Sequence, residues 1–146
     1  MTSLTLQQAA LIVDKALEQG RARNFKPLTV AVLDAGGHLV AFKREDGSSI
    51  LRPAIASGKA WAALGMGFGG RELARRASAQ ATFFSALLSV SGGRMVPAVG
   101  GVLIRAADGT IIGAVGISGD TGDNDEVCAI HGIEAAGLIA DGGGTG

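Results

Sequence analysis

The charges Arg44, Glu45, Asp46, Arg52 and Lys59 gather around one loop and the start of the helix that follows it. Such a set suits small acids. Arg52 or Lys59 would clamp a carboxylate through charge-assisted hydrogen bonds, and Asp46 or Glu45 would supply an acid or base. Left exposed, the same residues are ion pairs that tie a loop down. His38 closes the run Asp34-Ala35-Gly36-Gly37-His38, where its imidazole suits a metal, a haem iron or proton transfer near neutral pH, and equally suits a plain surface turn.

Three further groups bear on chemistry. Cys128, His131 and Glu134 share one helix face and offer a thiolate, an imidazole and a carboxylate to a metal, although a small buried cysteine explains Cys128 alone. Asp120, Asp123, Asp125 and Glu126 form an acidic loop without the spacing of an EF-hand, and capping accounts for Asp123 and Glu126. Backbone amides at that helix start suit an anion, against the repulsion of the nearby acids. Trp61, Met66, Phe68, Phe83 and Phe84 would line a flat apolar pocket or simply fill a core. No nucleophile elbow, phosphate-binding loop or dinucleotide fingerprint is present.

The elements that must position these residues follow from periodicity. Thr5 and Gln8 have capping-box spacing, and Leu6, Ala9, Ala10, Val13 and Leu17 recur at helical intervals, which predicts a helix from Thr5 to Gln19 that ends at Gly20. Leu28 to Asp34 and Leu39 to Arg44 read as a hairpin. Arg52-Pro53 opens a helix to Gly65; Gly65 to Gly70 breaks it; ELARRA is a short helical turn; and Ala81 to Val90 reads as a largely buried helix. A second hairpin joins Val102–Ile104 to Thr110–Ile112, and Asp123 starts a last helix to Leu138, with residues 141–146 a frayed tail. Gly113, Gly116 and Gly119 in and after that hairpin leave room for a flat ligand or for close packing of another backbone. Two hairpins that each bury one face need a shared sheet covered by helices. The fold class is therefore α+β in the broad α/β sense, a single domain over 1–146 with an antiparallel β-sheet flanked by α-helices.

Composition narrows the class. The chain has 146 residues, 47% of them hydrophobic, and formal charge balances at 13 basic and 13 acidic residues, so no basic field exists for nucleic acid or an anionic membrane. A lone cysteine precludes an intrachain disulfide or a thiolate cluster for zinc, and neither a signal peptide nor an apolar spanning stretch is visible, so the sequence reads as cytoplasmic. A near-neutral surface is compatible with a homo-oligomer.

Three segments in order, VLDAGGHLVAFKREDGS, GKAWAAL and DGTIIGAVGISGDTGDNDE, resemble the GlcG/HbpS family of small haem-binding proteins, which also includes the C-terminal domain of PduO-type cobalamin adenosyltransferases. The resemblance spans nearly the whole chain. It implies a profilin-like fold, homo-oligomers, and a haem or corrinoid-related ligand, with His38 in the family's Gly-Gly-His turn as the iron ligand or the hydroxyls of Ser89 to Gly93 in its place. Two departures stand out. The family's Arg-Met-Asp-Gly is Arg44-Glu45-Asp46-Gly47 here, and its Gly-Gly-x-Pro is Gly100-Gly101-Val102-Leu103. Glu45 makes its loop more polar, which fits a small polar substrate better than haem.

Three functions follow as expectations. In the first, haem is held by His38, with Arg52 or Lys59 near the propionates and Arg44, Glu45, Trp61 and Asp120 completing a small-molecule site. In the second, a cofactor-independent lyase or isomerase of a catabolic pathway acts on a small hydroxy or oxo acid, with Asp46, Lys59 and Glu126 as catalytic residues. In the third, the chain is a non-catalytic oligomeric accessory protein. In each ligand-binding case Asp120 to Glu126 is expected to face the Arg44–Lys59 segment across a subunit boundary.

Overall fold

The computed structural model describes residues 2–144. The elements run α1 (Leu6–Ala22), β1 (Thr29–Asp34), β2 (Leu39–Arg44), α2 (Arg52–Met66), α3 (Gly70–Ala79), α4 (Ala81–Val90), β3 (Gly101–Arg105), β4 (Ile111–Ser118), α5 (Gly122–Ala135) and β5 (Ile139–Asp141). Thr5 and Gln8 close the capping box that opens α1. Both hairpins form, and β1 pairs with β4, so the antiparallel order is β2-β1-β4-β3-β5.

Alternation along the strands builds two faces. Val30, Val32, Val102, Ile104, Val115 and Ile117 meet α1 and α5 on one side. Leu33, Leu103 and Ala114 meet Ala60 and Ala63 of α2 on the other. Gly116 sits directly beneath α2, where a Cβ would collide with the Ala56 carbonyl. Close packing of helix on strand therefore takes up the space that a flat ligand would need at this glycine.

Five elements differ from their sequence expectations, the first being α3, a ten-residue helix where the sequence predicts a short helical turn. Gly20 does not end α1, which runs on to Ala22, because the missing side chain makes room for Leu28, whose Cδ1 would lie 2.6 Å from a Cβ there. The cap of α5 is Thr121, whose hydroxyl accepts from the Asn124 amide, which frees Asp123 for an ion pair. The tail is not frayed through residue 144. Residues 139–141 add β5 to β3, Arg105 pairs with Asp141 at 3.0 Å, and the Arg71 amide donates to the Gly142 carbonyl; residues 145 and 146 lie outside the described residues. Lastly, α4 is not buried. It packs beyond α2 and α3; Phe84 turns inward onto Leu73, Ala62 and Met95 with Leu87 half-buried beside it, while Phe83, Leu88 and Val90 face outward.

Candidate functional site

The β1–β2 turn brings the sequence-predicted histidine to the surface at one end of the sheet. A bulge between Val32 and Leu33 and a left-handed Gly37 (φ 83°) shape the turn. Asp34, at the end of β1, organises it. Its Oδ1 accepts from the Gly36 amide at 2.9 Å and from the His38 amide at 3.0 Å, and lies 3.2 Å from His38 Nδ1. Those hydrogen bonds, the His38 amide foremost, hold the Asp34 carboxyl below its ordinary value, so it stays ionised and only accepts. A carboxylate there favours the tautomer with the ring proton on Nδ1. The Nε2 lone pair is then directed away from the carboxylate, on a side chain 79% exposed.

Concave surface surrounds this turn. On one side a cavity of about 270 Å³ lies between His38, Asp34, Leu4 and Ile111. On the other, a cavity of about 360 Å³ is walled by Leu33, Leu39, Ala54, Trp61 and Arg94. Trp61 packs under the turn, its Nε1 lying 3.2 Å from where a Cβ on Gly37 would be. The Arg94 guanidinium stacks 4.3 Å from the Trp61 ring and has no carboxylate partner among the described residues. His38 borders the first cavity, whereas the aromatic and aliphatic wall and the Arg94 cation line the second, so the two sides of the turn offer a histidine nitrogen for a metal and a flat apolar, cationic face separately.

The other sequence-predicted residues gather at the far end of the sheet, where Thr29 pairs with Ser118. Lys59 is buried, and its Nζ donates to the Ile117 carbonyl at 2.9 Å and to Asp125 Oδ2 at 3.3 Å. Burial pushes the ammonium below its ordinary value against the pull of Asp125, and burial likewise raises the Asp125 carboxyl. Arg52 is half-buried and donates to Ser118 Oγ at 3.0 Å. Glu45 accepts from the Leu28 amide at 2.7 Å and pairs with Arg21 at 3.0 Å, so its carboxylate fixes the loop. Arg44 and Asp46 are exposed beside it, around an open polar cleft of about 450 Å³. Asp120 accepts from the amides of Lys26 and Thr121, and Arg71 clamps Asp123 and Glu126.

Three consequences follow for the expected sites. The two segments expected to meet across a subunit boundary meet within one chain, through Lys59 and Asp125. His38 is separated from Arg52 by the length of β1, roughly 17 Å for six residues. The third consequence concerns metals: Cys128 is buried while His131 and Glu134 are exposed, and the four acids of the loop are each engaged; no group of three or more His, Cys, Asp or Glu among the described residues could hold a metal ion. Sequence reasoning assigned no role to Asp34 or Arg94. The Asp-x-x-x-His spacing across two glycines was the available signal for the first; nothing in the sequence marked Arg94, whose place depends on the fold. No helix among the described residues is long and apolar enough to cross a membrane.

Comparison with known proteins gives one consistent result. The family model described as haem degrading protein HbpS-like matches residues 4–134. Among solved structures, a PduOC:heme complex is 26% identical with TM-score 0.84, covering 94% of this chain and 97% of that one. A double mutant of HbpS from Streptomyces reticuli is 26% identical with TM-score 0.78, covering 92% and 88%. The ORFY protein of Klebsiella pneumoniae, 24% identical with TM-score 0.82 over 94% and 93%, shares the fold. No curated protein matches in sequence.

Proposed function

Because the chain belongs to the HbpS-like haem-degrading protein family, we propose that it binds haem at the β1–β2 turn, with His38 Nε2 as the iron ligand. Haem is the ligand named at the family level and in the PduOC complex. The observation that carries the reading here is the Asp34–His38 pair. A metal-binding histidine characteristically gives its second ring N–H to a carboxylate, which fixes the tautomer and raises the basicity of the free nitrogen. The macrocycle would lie against the cavity that His38 borders with Leu4 and Ile111, and the Leu39, Trp61 and Arg94 cavity would remain on the other side of the turn. Bound haem would supply redox and oxygen chemistry; the residues of this chain bind, orient and shield it.

The lyase or isomerase reading has less support. Lys59 and Glu126 spend their charges in internal ion pairs, which leaves Asp46 without a positioned partner. A homo-oligomer is supported by α4, an uncharged helix whose Phe83, Leu88 and Val90 are exposed.

Haemin titration of the purified chain tests the haem reading. The Soret band should shift and saturate. His38→Ala should abolish the shift, and Asp34→Asn should weaken binding by roughly 10- to 100-fold, the usual cost of losing an orienting partner. A Soret titration unchanged by His38→Ala would refute the assignment.

A further inference from the structure

The end of the sheet farthest from His38 carries a second polar constellation. Ser118, Thr29 and Arg44 are cross-strand neighbours on β4, β1 and β2, so their side chains share one sheet face. That face is the one under α2, since Ser118 Oγ accepts from Arg52 in the first turn of the helix. Thr29 is fully buried and its Oγ1 has no hydrogen-bond partner. A second buried hydroxyl without a partner, Ser48 Oγ, lies in the loop that leads into α2. An unpaired buried hydroxyl costs free energy, so such groups ordinarily meet a water, an ion or a ligand.

The local charge has a sign. The α2 N-terminus has Leu51 at its cap position, no capping side chain and no acid in its first turn, so its positive end is uncompensated. Neither Arg52 nor Arg44 has a carboxylate partner among the described residues. The acids nearby are already engaged, Asp125 by Lys59 and Asp120 by backbone amides, and Asp46 is exposed to solvent. Arg52 is only half-buried.

We propose that Arg52, Thr29 Oγ1 and Ser118, beneath the first turn of α2, form a binding site for a small oxyanion, a carboxylate or a phosphate, separate from the haem site. The guanidinium supplies the charge, the Thr29 hydroxyl donates to an anionic oxygen, and Ser118 holds Arg52 in place. The site stands at the opposite end of β1 from His38, so it does not rest on the haem reading.

The test is a titration of the ¹⁵N-labelled chain with inorganic phosphate and, separately, acetate, at constant ionic strength set with chloride. Saturable shifts confined to the amides of Thr29, Arg52, Ala54, Ile55 and Ser118 are expected. Saturation by acetate alone marks a carboxylate site, by phosphate alone a phosphate site, and by both a shared oxyanion site. Thr29→Val removes an unpartnered hydroxyl at constant shape, so it should fold at least as stably while weakening the anion about tenfold. Arg52→Gln should abolish saturation and leave the haemin titration unchanged. Absence of saturation with both anions, or equal affinity in Thr29→Val and the parent chain, would overturn the proposal.

Discussion

Replacing Lys59 by methionine tests whether that residue is structural. Its side chain is 7% exposed and that of Asp125 is 1% exposed, so the pair joins α2 to α5 past the end of the sheet with almost no water. Lys59→Met leaves Asp125 Oδ2 without a partner, while Oδ1 keeps only the Asp120 amide at 3.0 Å, and the Ile117 carbonyl loses the ammonium. A charge-assisted bond lost, at ~1.5–3 kcal/mol, together with a desolvated acceptor left behind, at ~1–3 kcal/mol, gives a cost in the range of roughly 3–5 kcal/mol typical of one-sided removal from a buried pair. Against a total stability of ~5–15 kcal/mol that is a large share. Urea unfolding followed by the fluorescence of Trp61, the single tryptophan, measures it. The pH dependence has a definite sign. Burial raises the Asp125 carboxyl above 3.8 while Lys59 opposes the rise, so without Lys59 it climbs further. A carboxyl raised in the folded state contributes stability that is present below pH 3.8 and lost as pH rises through the folded value. The Lys59→Met deficit should therefore be smallest near pH 4 and grow toward pH 7. The double variant Lys59→Met/Asp125→Asn, which removes both charges, should recover most of the loss. A deficit below about 1 kcal/mol, or one independent of pH, would refute the dry ion pair.

Two further outcomes are expected. Gly116→Ala would drive a Cβ into the Ala56 carbonyl, so α2 must lift from β4; the thermal midpoint should fall sharply or the chain fail to fold, and an unchanged melt would contradict the packing. The Cys128 thiol is pushed up to about 11 by burial, so a thiol reagent at pH 8 should label it only after unfolding, and rapid labelling of the native chain would contradict its place in the core.

The legible parts of the fold were those with local causes. The capping box at Thr5, the Arg52-Pro53 helix start and the apolar runs Val102–Ile104 and Thr110–Ile112 of the second hairpin each carry their instruction in a few adjacent residues. The misread parts share a different cause. Gly20 reads locally as a stop and is instead a contact surface for Leu28, and the apolar run of α4 reads as buried because composition does not reveal whether a neighbour exists to cover it. β5 is three residues long, too short for periodicity to register, and it forms because β3 presents an unpaired edge.

The candidate sites divide in the same way. By itself the sequence determined the family, the antiparallel sheet with its helices, and the presence of His38 in a Gly-Gly-His turn, since all of these rest on residues near one another in the chain. Only the tertiary structure decided what the charges do. It turned Lys59 toward Asp125, Glu45 toward Arg21 and Leu28, and Glu126 toward Arg71. It also left the Thr29 hydroxyl without a partner and set Arg94 over Trp61. The physical reason is that a charge or hydroxyl acquires its role from the partners and the water that packing grants it. Those partners lie far away in sequence, and no spacing rule records them.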